Sequence, residues 1–232
     1  MGPISLSTRN LEIDPVTTPT LPAEIADLVL APERPVIIVD VDEVLAMFML
    51  GFGDFVGKRG FEMRVERFAL FQNIYRPGDT EHLDVAAGRE LFEEFFLTDV
   101  EHIEPAEHAA QTLAGLSAEA SVVILTNAPS GSRAPRGRWL AKHGFDYPLV
   151  INSGLKGPAV QAIRAKSLGP AAFIDDLLPN LESVAADAPT VARFQMVADE
   201  RLRPLAPSLP DRHARIDDWR ELGKALSRVI RA

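Results

Sequence analysis

Short apolar runs alternate along the chain with longer segments in which apolar residues recur at helical spacing. The apolar runs are rich in β-branched residues and apolar on both faces, which is typical of buried strands. We predict strands at PVIIVD (35–40), SVVILT (121–126), YPLVI (147–151), AAFID (171–175) and TVARFQMV (190–197). The helical segments are LPAEIADLVLAP (21–32), PAEHAAQTLAGLSAE (105–119), RAPRGRWLAKHG (133–144), GPAVQAIRAKSLG (157–169), LPNLESVAADA (178–188) and IDDWRELGKALSRVI (216–230). Because strands and helices alternate without hairpin turns, the sequence predicts an α/β fold with a doubly wound parallel sheet.

The block at residues 46–104 differs from this pattern because it contains most of the aromatic residues. Within it, EMRVERFALFQNIY (62–75) and AAGRELFEEFF (86–96) have helical spacing, so we predict a compact helical insert. Its aromatic side chains are expected to fill its own core, with Phe48 and Phe52 as candidates for lining a ligand pocket. The basic residues Lys58, Arg59, Arg64 and Arg67 are expected on a solvated helix face. The predicted units are an N-terminal arm and short helix at 1–34, an α/β core at 35–45 and 105–232, and the insert at 46–104.

The amino-acid composition excludes several kinds of site and disfavours several kinds of partner. The 232 residues include no cysteine, which excludes a disulfide framework, a thiolate zinc site and a cysteine nucleophile. The formal net charge of -9 disfavours binding to a nucleic-acid polymer. The most apolar region is interrupted by charged residues and is not expected to cross a membrane. No secretory signal is recognisable, and a cytoplasmic location is the default expectation. The oligomeric state cannot be read from the sequence.

Polar side chains follow several of the predicted strands, at the point where each strand ends. In an open parallel sheet the carboxyl ends of the strands meet at one edge, where ligands bind. We therefore expect these side chains to converge: Asp40, Asp42, Thr126, Asn127, Lys156, Asp175 and Asp176.

Four carboxylates at close range cannot all stay ionised without a counter-charge. A divalent cation supplies one, and an all-oxygen ligand set favours magnesium over zinc. Thr126 can donate a hydrogen bond to a phosphoryl oxygen, and Lys156 adds a positive charge for the same group or pairs with Asp175. Asp40, held by a strand end, and Asp42, on the following turn, can divide nucleophilic attack and proton transfer between them.

With these residues in this order, the chain resembles the haloacid dehalogenase-like superfamily of phosphohydrolases. The resemblance covers residues 35–200. It rests on DVDEVL (40–45), on the strand VVILTN (122–127), on Lys156 before a helix, and on FIDDLLPN (173–180).

The resemblance implies a role for each motif residue. Asp40 would be the nucleophile that forms an aspartyl-phosphate, and Asp42 would be the general acid and then the base that activates water. Magnesium would be held by Asp40, by the main-chain carbonyl of Asp42 and by Asp176. The phosphate-binding residues would be Thr126, Asn127 and Lys156, with Asp175 supporting Lys156 or a water molecule.

Three further features of the chain bear on the implied activity. Dehalogenases of this superfamily generally lack an acid at the position of Asp42, so its presence favours phosphoryl transfer. Glu43 is a departure, since many relatives carry glycine there. The insert at 46–104 lies where the superfamily places its first type of cap. The resemblance implies a magnesium-dependent phosphatase for a small phosphorylated metabolite, with a nucleotide as one candidate.

Three other interpretations stay open. A phosphotransferase or mutase of the same fold would pass the phosphoryl group to an acceptor other than water. A phospho-acceptor receiver module is disfavoured by the order of the motifs. Receivers carry their acidic pair on the first strand, whereas the pair Asp175 and Asp176 comes last in this chain. A catalytically silent member would act as a binding protein. The second acidic pair, Asp217 and Asp218, is expected to cap a helix and to have no catalytic role.

Overall fold

The computed structural model describes residues 21–232, and the arm predicted at residues 1–20 lies outside them. The strands are β1 (Val36–Val39), β2 (Glu62–Met63), β3 (Ile74–Tyr75), β4 (Ser121–Asn127), β5 (Leu149–Asn152), β6 (Ala171–Asp175), β7 (Ala192–Gln195) and β8 (Ala214–Arg215). The α-helices are α1 (Ala23–Asp27), α2 (Phe48–Lys58), α3 (Val85–Thr98), α4 (Ala109–Leu116), α5 (Arg133–Lys142), α6 (Gly157–Arg164), α7 (Leu178–Asp187) and α8 (Trp219–Ile230). Short 3-10 turns lie at Phe71–Asn73, Val100–His102 and Ser130–Ser132.

The main sheet has six strands in the order β5-β4-β1-β6-β7-β8, and every neighbouring pair is parallel. The strand β1 lies in the middle and is buried along its whole length. The prediction of an α/β doubly wound parallel sheet is thus confirmed. The short edge strand β8 was not predicted, because its two residues give no periodic signal.

Helices cover both faces of this sheet, and alternate residues of each strand enter opposite cores. On β1, Ile37 and Val39 belong to the core that contains α4, α5 and α8. Val36 and Ile38 belong to the core that contains α1, α6 and α7. Burial on both faces explains why the strands are apolar at every position rather than at every second one.

The insert leaves and rejoins the core at adjacent points. The Ala106 N–H donates to Leu45 O over 2.7 Å, and the Met47 N–H donates to Glu104 O over 2.9 Å. Because the two connections are paired, the insert is anchored directly above the end of β1. Phenylalanine rings of α2 and α3 form its interior and are continuous with the core on one face of the sheet.

Two predicted helices differ from the structure. Residues 62–75 do not form a helix, because β2 and β3 pair antiparallel there and the buried Asn73 organises the connection between them. The Asn73 side chain donates to Arg67 O and Ala69 O and accepts from the Glu66 N–H. Such side-chain bonds to backbone groups compete with helix formation. The first helix is also shorter than predicted, since α1 ends at Asp27.

Within residues 21–232, no helix combines the length and the apolar character that a membrane span requires.

Candidate active site

The register of the central strands brings the first and last acidic motifs together. Val39 of β1 lies opposite Ile174 of β6, so Asp40 and Asp175 follow next to each other on neighbouring strands. The Asp40 N–H continues the ladder by donating to Ile174 O over 3.0 Å. The sheet therefore holds both carboxylates at its carboxyl edge.

Lys156 lies between these two carboxylates and is fully buried. Its Nζ is 2.7 Å from Asp40 Oδ1 and 2.8 Å from Asp175 Oδ2. It is placed by the loop after β5, immediately before the first turn of α6. Burial alone would lower the pKa of Lys156, but the carboxylates of Asp175 and Asp40 raise it above its ordinary value, so the side chain stays charged.

Asp176 completes an acidic cluster at this edge. Carboxylate oxygens of Asp40, Asp175 and Asp176 all lie within 4.8 Å of one another, and all three residues are buried. Burial, together with repulsion from Asp175 and Asp40, raises the pKa of Asp176 well above its usual range. Burial also raises the pKa of Asp175 to about 6, against the opposing effect of Lys156. Three clustered, desolvated oxygen donors fit a hard divalent cation such as magnesium.

Two groups that follow β6 fix the Asp175 carboxylate. The Leu177 N–H donates to Oδ1 over 2.9 Å, and Asn180 Nδ2 lies 3.0 Å from Oδ1 and 3.2 Å from Oδ2. Asn180 was not singled out from the sequence. Its signal was its place in the first turn of α7, five residues after Asp175.

Arg136 is the main residue that sequence reasoning missed. Its guanidinium is fully buried, and Nη2 donates to Asp42 Oδ1 over 2.6 Å. Arg136 precedes the buried Trp139 and Leu140 by three and four positions on α5, and therefore shares their inward face. That spacing was the available signal.

Neighbouring groups act in opposing directions on the pKa of Asp42. Burial raises its pKa, Arg136 opposes that effect, and the nearby Asp40 reinforces it. Its side chain is 22% exposed, so it remains accessible while Arg136 orients it. A carboxyl group whose pKa is raised, and which is held near a nucleophile, can both deliver and accept a proton.

The end of β4 contributes Thr126 and Asn127. Thr126 Oγ1 is buried and has no hydrogen-bond partner among residues 21–232. A buried hydroxyl without a partner is costly, and it suggests a group that is completed by a ligand. The Asn127 side chain instead donates to Gly154 O over 2.8 Å and accepts from Asn152 Nδ2 over 2.9 Å.

A cavity of about 210 Å³ lies between the strand ends and the insert. Its lining includes Asp40, Asp42, Asn127, Lys156 and Asp176 of the predicted set. Thr126 and Asp175 stand behind this surface and are fully buried. The strand ends thus bring the predicted residues to one place, and Phe48 of the insert lines the same cavity, whereas Phe52 does not belong to its lining.

No family model and no curated protein matches the chain. Among solved structures, a haloacid dehalogenase-like hydrolase from Streptococcus pneumoniae is similar, with 13% identity, a TM-score of 0.57, and coverage of 84% of this chain and 98% of that one. A protein from Haemophilus somnus described as a "predicted phosphoglycolate phosphatase" shares 11% identity, with a TM-score of 0.52 over 82% of this chain and 97% of that one.

A third similar structure is an L-2-haloacid dehalogenase, at 12% identity and a TM-score of 0.52, over 83% of this chain and 99% of the other. These matches span nearly the whole length of each of the three structures.

The fold is that of the haloacid dehalogenase-like hydrolases.

Within this haloacid dehalogenase-like fold, the contacts of the Glu43 side chain account for a glutamate at this position in place of glycine. Its φ of 57° lies in the left-handed region that favours glycine. The buried carboxylate accepts from the Met49 N–H over 2.6 Å and from the Asp199 N–H over 3.2 Å. Burial raises the pKa of Glu43 to about 8, although both amides oppose the shift. Glu43 therefore ties the loop after β1 to α2 and to the segment after β7.

The second acidic pair lies outside the cavity of this haloacid dehalogenase-like fold. Asp218 caps α8 by accepting from the N–H groups of Arg220 and Glu221, as predicted. Asp217 does not cap the helix, because it accepts from the Val197 N–H and pairs with Arg215.

Proposed function

We propose that the protein is a magnesium-dependent phosphatase that hydrolyses a small phosphorylated metabolite through an aspartyl-phosphate. The observation that carries the proposal is the buried cluster in which Lys156 contacts Asp40 and Asp175 while Asp176 lies within 4.8 Å of both carboxylates. One positive side chain beside three carboxylates leaves excess negative charge, which a cation offsets. The same arrangement then accepts a phosphoryl group.

Asp40, Asp176 and the main-chain carbonyl of Asp42 would hold the magnesium ion. When bound, the cation neutralises charge on the phosphoryl oxygens and so favours attack by an anionic nucleophile. The oxygen-only donor set at this edge supports that cation.

Asp40 attacks phosphorus in the first step. A bond forms between its carboxylate oxygen and phosphorus, and the bond from phosphorus to the leaving-group oxygen breaks. Lys156 and Thr126 hold the phosphoryl oxygens, with Asn127, which lines the same cavity, as a further candidate. The unpartnered Thr126 hydroxyl supports this role, since a phosphoryl oxygen would satisfy it.

Asp42 moves the protons. It gives its proton to the leaving-group oxygen in the first step, then accepts one from the water that attacks the aspartyl-phosphate. The second attack breaks the bond between Asp40 and phosphorus and releases phosphate. Arg136 keeps the Asp42 carboxyl group at the cavity through both steps. Burial and Arg136 act in opposite directions on its pKa, which suits a group that must both release and regain a proton.

The insert acts as a cap over the cavity. Its α2 begins directly after the Asp42 loop, and its residues form one wall of the cavity. A wall of this kind excludes bulk water, which strengthens the electrostatic interactions within and limits access to the aspartyl-phosphate.

Proteins of this fold include dehalogenases, so the choice of reaction needs its own support. Asp42 lines the cavity together with Asp40 and provides the proton that an alkoxide leaving group requires. A halide leaving group needs no such proton. The presence of Asp42 therefore favours phosphoryl transfer.

The test is phosphate release from a panel of phosphomonoesters, measured with magnesium and with a chelator. We expect release that needs magnesium. Transfer of the phosphoryl group to an added alcohol, with no free phosphate, would favour the phosphotransferase alternative. Halide release from 2-haloacids without any phosphate release would contradict the proposal.

A further inference from the structure

The cavity has two unlike walls. The core contributes a polar wall that includes Asp40, Asp42, Lys156 and Asp176. The insert contributes a second wall, here called the apolar wall, which consists of Phe48, Met49, Phe68, Ala69, Leu70 and Phe92. A phosphomonoester bound with its phosphoryl group on the polar wall must place its leaving group against the apolar wall.

Part of the apolar wall, formed by Phe48, Met49 and Phe92, is tightly packed. The Phe48 and Phe92 rings contact each other at a centroid distance of 6.0 Å, and Phe92 packs on Phe96 at 4.7 Å. Phe48 and Met49 are each only 5% exposed. Phe48 and Phe92 pack in the main hydrophobic core, and Met49 packs in a cluster with Leu202 of the α/β core, so these side chains cannot easily rotate away.

No insert residue that lines the cavity, within the part of the chain that the structure describes, is charged. None of the insert's basic residues lines the cavity, and two of them pair with acidic residues of the insert. Arg59 pairs with Glu94 at 2.5 Å, and Arg64 pairs with Glu62 at 2.5 Å. The insert therefore has no cation at the cavity for a second anionic group of the substrate.

The apolar wall discriminates between leaving groups because a group that packs against it must give up its bound water. A carboxylate or a second phosphate against it would lose water and gain no partner, which is unfavourable even for a neutral polar group. A hydrocarbon group instead gains free energy as its surface leaves water. At about 210 Å³ the cavity is also smaller than the ~300–1,000 Å³ of drug-sized pockets, which limits the group to a small one.

We infer that the substrate is a phosphomonoester whose leaving group is small, uncharged and rich in hydrocarbon, such as an aryl, arylmethyl or short branched alkyl group. The inference rests on the proposed function and specifies its substrate class. Sugar phosphates, nucleotides and phosphorylated carboxylic acids are then poor substrates, because their leaving groups present polar or charged atoms to the apolar wall.

The test compares esters that share a scaffold. Magnesium-dependent kcat/KM is measured for benzyl phosphate, for 4-carboxybenzyl phosphate, for glycerol 1-phosphate and for a nucleoside 5′-monophosphate. We expect benzyl phosphate to exceed each of the others by on the order of 100-fold. Inhibition by benzylphosphonate and by 4-carboxybenzylphosphonate measures the same preference without turnover.

A charge placed on the apolar wall should reverse the preference. Leu70→Lys is expected to weaken turnover of benzyl phosphate and to strengthen that of 4-carboxybenzyl phosphate. The matched control is Leu97→Lys, since Leu97 is 63% exposed on the insert and does not line the cavity. That control should keep the wild-type ratio. The comparison of esters by the wild-type protein decides the question even if Leu70→Lys fails to fold.

The outcomes separate the two proposals. Phosphate release with equal or higher kcat/KM for the carboxylated ester, the glycerol ester or the nucleotide overturns the inference and leaves the phosphatase intact. No release from any ester, with or without magnesium, overturns the proposed function and this inference with it.

Discussion

Arg136 donates a hydrogen bond to Asp42 over 2.6 Å from a position with no solvent exposure. Its Nε and Nη1 atoms have no hydrogen-bond partner among the described residues, and its Cζ lies 4.9 Å from the centre of the Phe96 ring. The Asp42 carboxylate is therefore the principal counter-charge of a buried guanidinium. This ion pair links the candidate proton donor to α5, and the contact with the Phe96 ring links Arg136 to the insert.

Removal of Asp42 should destabilise the fold more than removal of Arg136. Asp42→Ala leaves a buried cation without an acceptor, which costs about 3 kcal/mol, at the lower end of the range for broken buried pairs because Asp42 is partly exposed. In Arg136→Met, water can still solvate Asp42. Urea unfolding of both variants and of the double variant measures this difference.

The double variant provides the control for that comparison. Asp42→Ala combined with Arg136→Met should recover most of the stability that Asp42→Ala loses, because no charge remains buried. Strictly additive losses in the double variant would show that the two side chains are not coupled, contrary to the structure.

Thr126→Val should separate activity from stability. The Thr126 hydroxyl is buried without a partner, so its replacement by a methyl group should leave the free energy of unfolding unchanged or raise it by about 1 kcal/mol. If the hydroxyl binds the phosphoryl group, kcat/KM should fall on the order of 100-fold. Thr98→Val, on the exposed side of α3, is the control. Undiminished activity in Thr126→Val would remove Thr126 from the site.

Glu43 affects the stability of the fold in two opposing ways, which a pair of substitutions can separate. Glu43→Ala and Glu43→Gly both leave the Met49 and Asp199 N–H groups without their acceptor. Only glycine relaxes the left-handed backbone at this position, which is worth about 1 kcal/mol. We expect Glu43→Gly to be the more stable of the two by that amount in thermal unfolding. A glycine variant no more stable than the alanine variant would argue against strain at Glu43.

Magnesium should stabilise the protein more at pH 8 than at pH 5. The folded state raises the pKa of Asp175 to about 6 and raises that of Asp176 well above the ordinary carboxyl value of 3.8. The metal-free folded state thus holds protons that the unfolded state releases, and its stability falls as the pH rises from about 4 through these raised values. Magnesium binds the ionised carboxylates, so protons compete with it at low pH.

Thermal unfolding with magnesium and with a chelator, at both pH values, checks this expectation. The increase in Tm caused by magnesium should be larger at pH 8 and should vanish in Asp176→Asn. An increase of equal size at pH 5, or one that persists in that variant, would place the cation elsewhere.

The sheet could be predicted from the sequence because its strands are buried on both faces and read as continuous apolar runs. The segment 62–75 could not, because its apolar residues recur at helical spacing while the buried Asn73 holds the backbone in another shape. The Asn73 side chain bonds to residues four to seven positions before it in an irregular loop, and such bonds leave no periodic pattern in the sequence.

The candidate site likewise contains residues whose positions could be predicted from the sequence and one whose position could not. Residues at strand ends, such as Asp40 and Asp175, could be predicted to meet because the topology of a parallel sheet brings strand ends to one edge. Arg136 enters from the inward face of α5, and no residue of that helix was singled out from the sequence. Its inward direction depends on the packing of Trp139, and its pairing with Asp42 depends on the turn after β1.

The central claim is that Asp40 is the nucleophile of a phosphatase, and Asp40→Asn tests it most directly. The fold should survive, since Lys156 keeps its contact with Asp175. Asp218→Asn is the matched control, because asparagine caps helices as well as aspartate does. We predict that magnesium-dependent phosphate release from an aryl phosphate disappears in folded Asp40→Asn and persists in Asp218→Asn. Continued magnesium-dependent release by Asp40→Asn would contradict the account.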